Sequence, residues 1–367
     1  MTINILSALN NWFWSEKIWL PPNTTWADRV STPENQLPNF MDLWTYPFAL
    51  AVVFNIIRYG IMNPQVYGPI AERYGIKNIK PKSVVPNPVL EALFKKHNKK
   101  IPEAEITRAA RQLTWSERKV ERWLRARGAM NRINTYTKFL ECAWQLTYYT
   151  LAFIFGLYIL SDKIWLHDIT YCWKGYPHYK LDNDVWLYYM ISLGFYWGTT
   201  ATHFLETRRK DFYQMLGHHL ITIALMVFSF TCNFSRIGSL TLVVHDIADI
   251  PLQLSKLFIY LKWKKCCDIT FTLFALLWMV TRCGYFPVNI VGSTLLYAHT
   301  VVPMHPVYYI FNLLLSALAV LHFYWAYFII RIIVNTARKG VVEDDRSSSD
   351  GEVVEEDQDD GVLKKES

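Results

Sequence analysis

FYQMLGHHLITIALMVFSFTC (Phe212 to Cys232) and, after a short polar break, IGSLTLVVHDIADIPLQLSKLFIYL (Ile237 to Leu261) decide how this chain of 367 residues is read. Each run matches the ~20 predominantly apolar residues that carry a helix across a ~30 Å hydrocarbon layer. Yet the two runs hold His218, His219, His245, Asp246 and Asp249. An ionisable side chain at that depth costs about 3 kcal/mol or more unless it pairs or lines a wet cavity, so five in consecutive spans mark a functional site.

The rest of the chain repeats the block pattern. Leu43 to Met62, Phe139 to Leu160, Val185 to Leu205, Ile269 to Val291 and Val307 to Ile333 bring the total to about seven spans. The expected fold is all-α, a polytopic membrane helical bundle, because helices satisfy every backbone polar group where no water reaches. Cations set the orientation. Arg73, Lys77, Lys80, Lys82, Lys95, Lys96, Lys99 and Lys100 follow the first span, Arg208, Arg209, Lys210, Lys262, Lys264 and Lys265 fill short joints, and Arg331, Arg338 and Lys339 close the last span. The positive-inside bias assigns these to the cytosol, leaving the N-terminus lumenal and the C-terminus cytosolic. Asn23-Thr24-Thr25 is a glycosylation sequon on the lumenal side; Asn233-Phe234-Ser235 is another, expected to be unmodified in its tight turn. Met1 to Leu20 lacks the basic start and unbroken apolar centre of a cleavable signal peptide. The six cysteines show no CxxC spacing and read as small buried hydrophobes.

Five segments follow: a lumenal lead (1–42) whose Trp residues suit the membrane interface, the first span (43–62), a soluble insert (68–128), six further spans (131–335) and an acidic tail (340–367). Arg58, in the last turns of the first span, is expected to snorkel to the cytosolic side. The insert reads as three short helices, Val89 to Lys96, Glu103 to Leu113 and Ser116 to Arg127, the last ended by Gly128. The tail holds ten acids and one Arg between 343 and 360, so the formal net charge of +7 hides about +16 elsewhere. That excess suits contact with lipid head groups or an anionic substrate. The tail is expected to be disordered, and Ser347 and Ser349, each with an acid three residues on, fit acid-directed phosphorylation.

In the insert, W-S-E-R-K-V-E-R-W-L-R-A-R-G (115–128) resembles the recognition helix of a homeodomain. Trp123 and Leu124 match the packing pair and Arg127 a phosphate-contacting Arg. Ala126 stands where the adenine-reading Asn belongs, so no nucleic-acid partner is expected. Lys364-Lys365-Glu366-Ser367 resembles the dilysine retrieval signal of endoplasmic reticulum membrane proteins, which requires a cytosolic C-terminus.

Read as helices, adjacent His218 and His219 point about 100° apart, so one acts and the other orients. Asp249 shares a face with His245 (i,i+4) and with Asp246 (i,i+3). A turn at 233–236 brings His219 level with residues 249 to 251, and Pro251 is expected to free backbone carbonyls there. Three chemistries use such a set. A metal centre accepts imidazole and carboxylate, but the HxxxH and HxxHH boxes of membrane oxidases are missing, and neither metal nor cofactor is expected. A proton relay is the second. Acyl transfer with His as general base or nucleophile is the third.

R-R-K-D-F from Arg208, then H-H, then R-I-G-S-L-T-L-V-V-H-D-I-A-D from Arg236 resemble the Lag1 motif of ceramide synthases, within the TLC domain. The resemblance covers nearly the whole chain and includes the homeobox-like insert. It implies acyl-CoA-dependent N-acylation of a sphingoid base in the endoplasmic reticulum membrane, with fatty acyl-CoA, the sphingoid base and membrane lipids as partners. The family's essential positions carry over to His218, His219, His245, Asp246 and Asp249, the carboxylates fixing tautomers and balancing imidazolium charge. Arg208, Arg209 and Lys210 stand where cations meet CoA phosphates, or serve only as positive-inside anchors. The joint 292–306, with His299, Met304 and His305, is where the family selects acyl-chain length. His203, on the preceding span, reads as a hydrogen-bonded core residue. Oligomeric state is open, with room for a homo- or hetero-dimer.

Overall fold

The computed structural model describes residues 2–32, 35–78, 84–97, 101–130, 134–206, 211–303 and 305–339. Every long regular element among them is helical. In chain order these are α1 (Thr2–Phe13), α2 (Phe40–Arg73), α3 (Pro88–His97), α4 (Glu103–Leu113), α5 (Glu117–Met130), α6 (Thr135–Leu160), α7 (Asn183–Thr202), α8 (Phe212–Thr231), α9 (Ser235–Tyr260), α10 (Lys264–Val301) and α11 (Pro306–Lys339). The chain divides into a unit of residues 1–80 with 134–344 and a second unit containing 81–133.

Six helices of the first unit, α2, α6 and α8 to α11, are long and apolar enough to cross a membrane. The third of the seven expected spans is α7, which falls short of that apolarity. It carries Tyr188, Tyr189, Tyr196 and Ser192, all buried against neighbouring helices rather than turned to lipid. Protein partners take several of its polar atoms: Tyr188 Oη donates to Asp246 at 3.3 Å, Tyr189 Oη lies 3.0 Å from Ser229 Oγ, and Trp186 donates to Asp42 at 2.8 Å. A helix enclosed this way tolerates hydroxyls that a lipid-facing one would not. Centrality is greatest for α9, whose apolar stretch is 56% buried, against 17% for α2. It packs on α6 and α10 and comes very near α7: a Cβ at Gly238 would lie 1.6 Å from Tyr189 Oη, so only glycine allows the approach.

Several sequence boundaries move. The first span does not stop at Met62, and the insert does not begin at 68. The helix runs on to Arg73 through Pro64, because Ile57–Tyr67 winds with i→i+5 hydrogen bonds that relieve the proline's clash with the preceding turn. Arg58 does not snorkel; it is buried and paired with Glu206 at 2.6 Å. The lead 1–42 is more than an interfacial string of Trp. Trp14, Trp19, Trp26 and Phe40 form an aromatic cluster, and buried Arg29 donates to the carbonyls of Thr231, Cys232 and Pro177. The α8–α9 turn is centred on Asn233 at φ 63°, wholly buried with its amide donated to the carbonyls of Pro177 and Tyr179. Asn233 therefore offers no free amide to a glycan, whereas Asn23 is exposed.

The second unit is a three-helix domain built on Leu90, Leu93, Ala109, Ala110, Val120, Trp123 and Leu124. Helix α5 runs through Gly128 to Met130 instead of ending there. Arg127 donates to Glu91 at 2.6 Å, and Trp123 Nε1 to Val85 O at 2.8 Å. The residue matched to a phosphate-contacting Arg is thus engaged in bracing the fold.

Candidate active site

The site is assembled from five helices, α7 to α11, by the periodicity of each. On α8, neighbouring His218 and His219 diverge as their 100° separation requires. His218 lines a cavity and stands edge-on to Trp325 of α11, ring centres 5.5 Å apart. His219 is buried against α7, its ring 6.3 Å from that of Tyr196 and 5.5 Å from that of His203. His203 Nε2 lies 3.1 Å from Phe212 O, the hydrogen-bonded core position expected of it.

Helix α9 brings His245 to the same cavity. The cavity thus has an imidazole from each arm of the hairpin in its wall, His218 and His245. Asp249 does not reach an imidazole: it takes a 2.5 Å ion pair from Arg282 of α10, whose Nη2 also donates to His245 O at 2.8 Å. The guanidinium lies 4.2 Å over the Trp278 ring. Asp246, almost fully buried, accepts from Tyr188 Oη at 3.3 Å. The two carboxylates thus engage a cation and a phenol, not the imidazoles that shared helix faces had assigned them. Helix faces fix which residues of α9 align with one another; which neighbour occupies each face is a tertiary matter.

Two further ionisable residues join the cluster. Arg282 stands in the stretch Met279–Val291, again wound with i→i+5 bonds around an internal proline, Pro287. His322 of α11 is completely buried, with Nε2 3.2 Å from His245 Nε2. Both lie in apolar runs, so the rule that singled out His218 in the sequence applies equally to them. Arg282 stands alone in its apolar run, and His322 shares its own only with Arg331 near the end, which hides both from a search for motifs.

The cavity holds about 460 Å³ of unfilled space, its open mouth included. Leu225, Met226, Leu242, Phe311, Leu315 and Leu318 give it apolar walls. From His218 to Ser229, both of which line it, α8 advances ~16 Å at ~1.5 Å per residue. That is about half of a ~30 Å hydrocarbon layer, the length of one leaflet's acyl chains. Nδ1 of His218, of His219 and of His322 and Nε of Arg282 have no hydrogen-bond partner among the described residues. Of these four residues, His218 is the one that lines the cavity. No group of three or more His, Cys, Asp or Glu disposed to hold a metal ion occurs among the described residues. Arg208, Arg209, Lys210, Met304, Ser347, Ser349, Lys364 and Lys365 lie outside the described residues.

Residues 138–331 match the family model described as the TLC domain. The chain is 35% identical to human ceramide synthase 5 over 361 residues, covering 96% of this chain and 90% of that protein. It is 34% identical to human ceramide synthase 3, covering 94% and 89%, and 31% identical to ceramide synthase hyl-1 of Caenorhabditis elegans, covering 92% and 84%.

Proposed function

The chain belongs to the TLC-domain ceramide synthase family, and on that premise we propose how its intramembrane polar groups transfer a fatty acyl group from acyl-CoA to a sphingoid base. The cavity carries this reading: its largely apolar walls, with His218 and His245 among them, suit an acyl chain whose carbonyl stops beside an imidazole. His218 is the histidine that meets the acyl carbon. His219, packed on Tyr196 and His203, orients it.

A sphingoid amine near neutral pH is largely an ammonium ion and cannot attack a thioester until a base takes its proton, a task suited to a buried histidine. The amine nitrogen then forms the amide bond as the carbon–sulfur bond breaks and CoA leaves with a proton. His218 serves this as general base or by carrying the acyl group as an acyl-imidazole. Asp249 and Arg282 form a neutral pair that places the His245 segment of α9 without adding net charge to the hydrocarbon layer. Arg208, Arg209 and Lys210 hold the CoA phosphates at the cytosolic start of α8. This is a multi-pass membrane protein. The cation distribution and the dilysine end favour a cytosolic C-terminus in the endoplasmic reticulum, with Asn23 glycosylated in the lumen and Ser347 and Ser349 open to cytosolic kinases.

Microsomes expressing the chain, supplied with sphinganine and acyl-CoA, test the assignment. Alanine at His218, His219 or Asp249 is expected to remove amide formation while protein level holds; turnover surviving all three changes would overturn it. Mass measurement of intact protein after acyl-CoA alone separates the two routes, since an added acyl mass requires the covalent one.

A further inference from the structure

His245 and His322 face each other through their Nε2 atoms at 3.2 Å, and the protons between them can be assigned from geometry. His245 Nδ1 lies 2.7 Å from Thr241 O. A carbonyl only accepts, so this nitrogen carries a hydrogen, and in the neutral ring Nε2 holds a lone pair. Two lone pairs at 3.2 Å repel, so His322 Nε2 carries the hydrogen and donates it. His322 is in turn held firmly. It is fully buried, with its ring centre 5.1 Å from that of Phe286 and 5.9 Å from that of Trp278, and its backbone carbonyl accepts from Trp278 Nε1 at 3.4 Å. Phe286 also stands edge-on to His245 at 5.0 Å, so one ring of α10 braces both imidazoles.

We propose that His322 is a positioning residue for acyl transfer: the Thr241 carbonyl sets the tautomer of His245, and the Nε2–H of His322, donated to the remaining lone pair, fixes the ring plane of His245 at the cavity wall. This rests on reading the cavity as the transfer site. Without the donor, His245 keeps only the Thr241 carbonyl and the edge-on Phe286 to hold its ring, and its Nε2 lone pair loses its partner. A histidine partner on a separate helix also ties α9 to α11 beside the cavity, where a carboxylate partner would have added a further buried charge.

Two variants of the full-length chain test this in microsomes. His322→Phe keeps an aromatic bulk without a donor; His322→Gln keeps an N–H at similar reach. The Phe variant is expected to lower kcat about ten-fold or more with KM for acyl-CoA nearly unchanged, and the Gln variant to recover most of the loss. Equal losses in both, a change confined to KM, or wild-type turnover in the Phe variant would each overturn the proposal. A measurement on the unaltered protein stands apart from folding of the variants. With 15N-labelled histidine in bilayers, one pair of ε-nitrogens is expected to show coupling across an N–H···N bond; its absence would overturn the proposal. That coupling is read without turnover, so a wild-type chain that makes no amide would sink the proposed function and leave this pairing standing.

Discussion

The three-helix insert and the α8–α9 hairpin each carry a sequence motif, and they have kept different halves of it. In the insert, the packing residues Trp123 and Leu124 are buried in the core, while Ala126 replaces the reading residue and Arg127 is turned to Glu91. In the hairpin the chemical residues themselves persist, and the fold adds Arg282 and His322 around them. Packing residues preserve a shape at any function; polar residues buried in an apolar bundle persist only where something uses them. Arginine illustrates the contrast. Arg118, Arg122 and Arg125 on α5 are exposed at little cost, whereas Arg282 is buried with a carboxylate and an aromatic face to hold it.

The sharpest way to break the contrast is at the hairpin. Removing His218 by His218→Ala is expected to reduce amide formation by roughly 10²- to 10⁴-fold, the scale of general acid–base catalysis; measured turnover near wild type would place the hairpin motif with the insert's, as packing alone. Next, Arg282→Ala leaves Asp249 buried without its cation. Its expected cost is about 3–5 kcal/mol, read as lower thermal stability in detergent together with lost activity. Arg282→Lys should recover only part of this, since an ammonium cannot serve Asp249 and His245 O in the same fork while lying over Trp278.

A smaller effect is expected at the cavity's end away from the imidazoles. Phe311→Ala lengthens the apolar channel, and a product profile measured over a series of acyl-CoA lengths should shift several-fold toward longer chains without loss of total amide. An unchanged profile would separate the cavity from the chain. The smallest change in amide formation belongs to the insert. Trp123→Ala is expected to unfold that domain locally, at about 3–5 kcal/mol, while amide formation falls far less than for His218→Ala. Limited proteolysis against turnover in the same membranes compares the two regions directly.

Length and apolar blocks alone identified a helical membrane chain, because a helix in lipid must close its own hydrogen bonds and so leaves a long uncharged signature in sequence. They also exposed His218, His219, His245, Asp246 and Asp249, whose cost in hydrocarbon makes them conspicuous one at a time. Periodicity along one helix correctly separated His218 from His219. It could not say that Asp249 meets Arg282, that Asp246 meets Tyr188, or that His245 meets His322, since those partners come from α10, α7 and α11. The same limit applies to α7 and to Arg58: mean apolarity and snorkelling assume lipid or water alongside, and these residues have protein there instead. Sequence fixes the cost of each buried group through its chemistry; only the packing of separate helices decides which group offsets it.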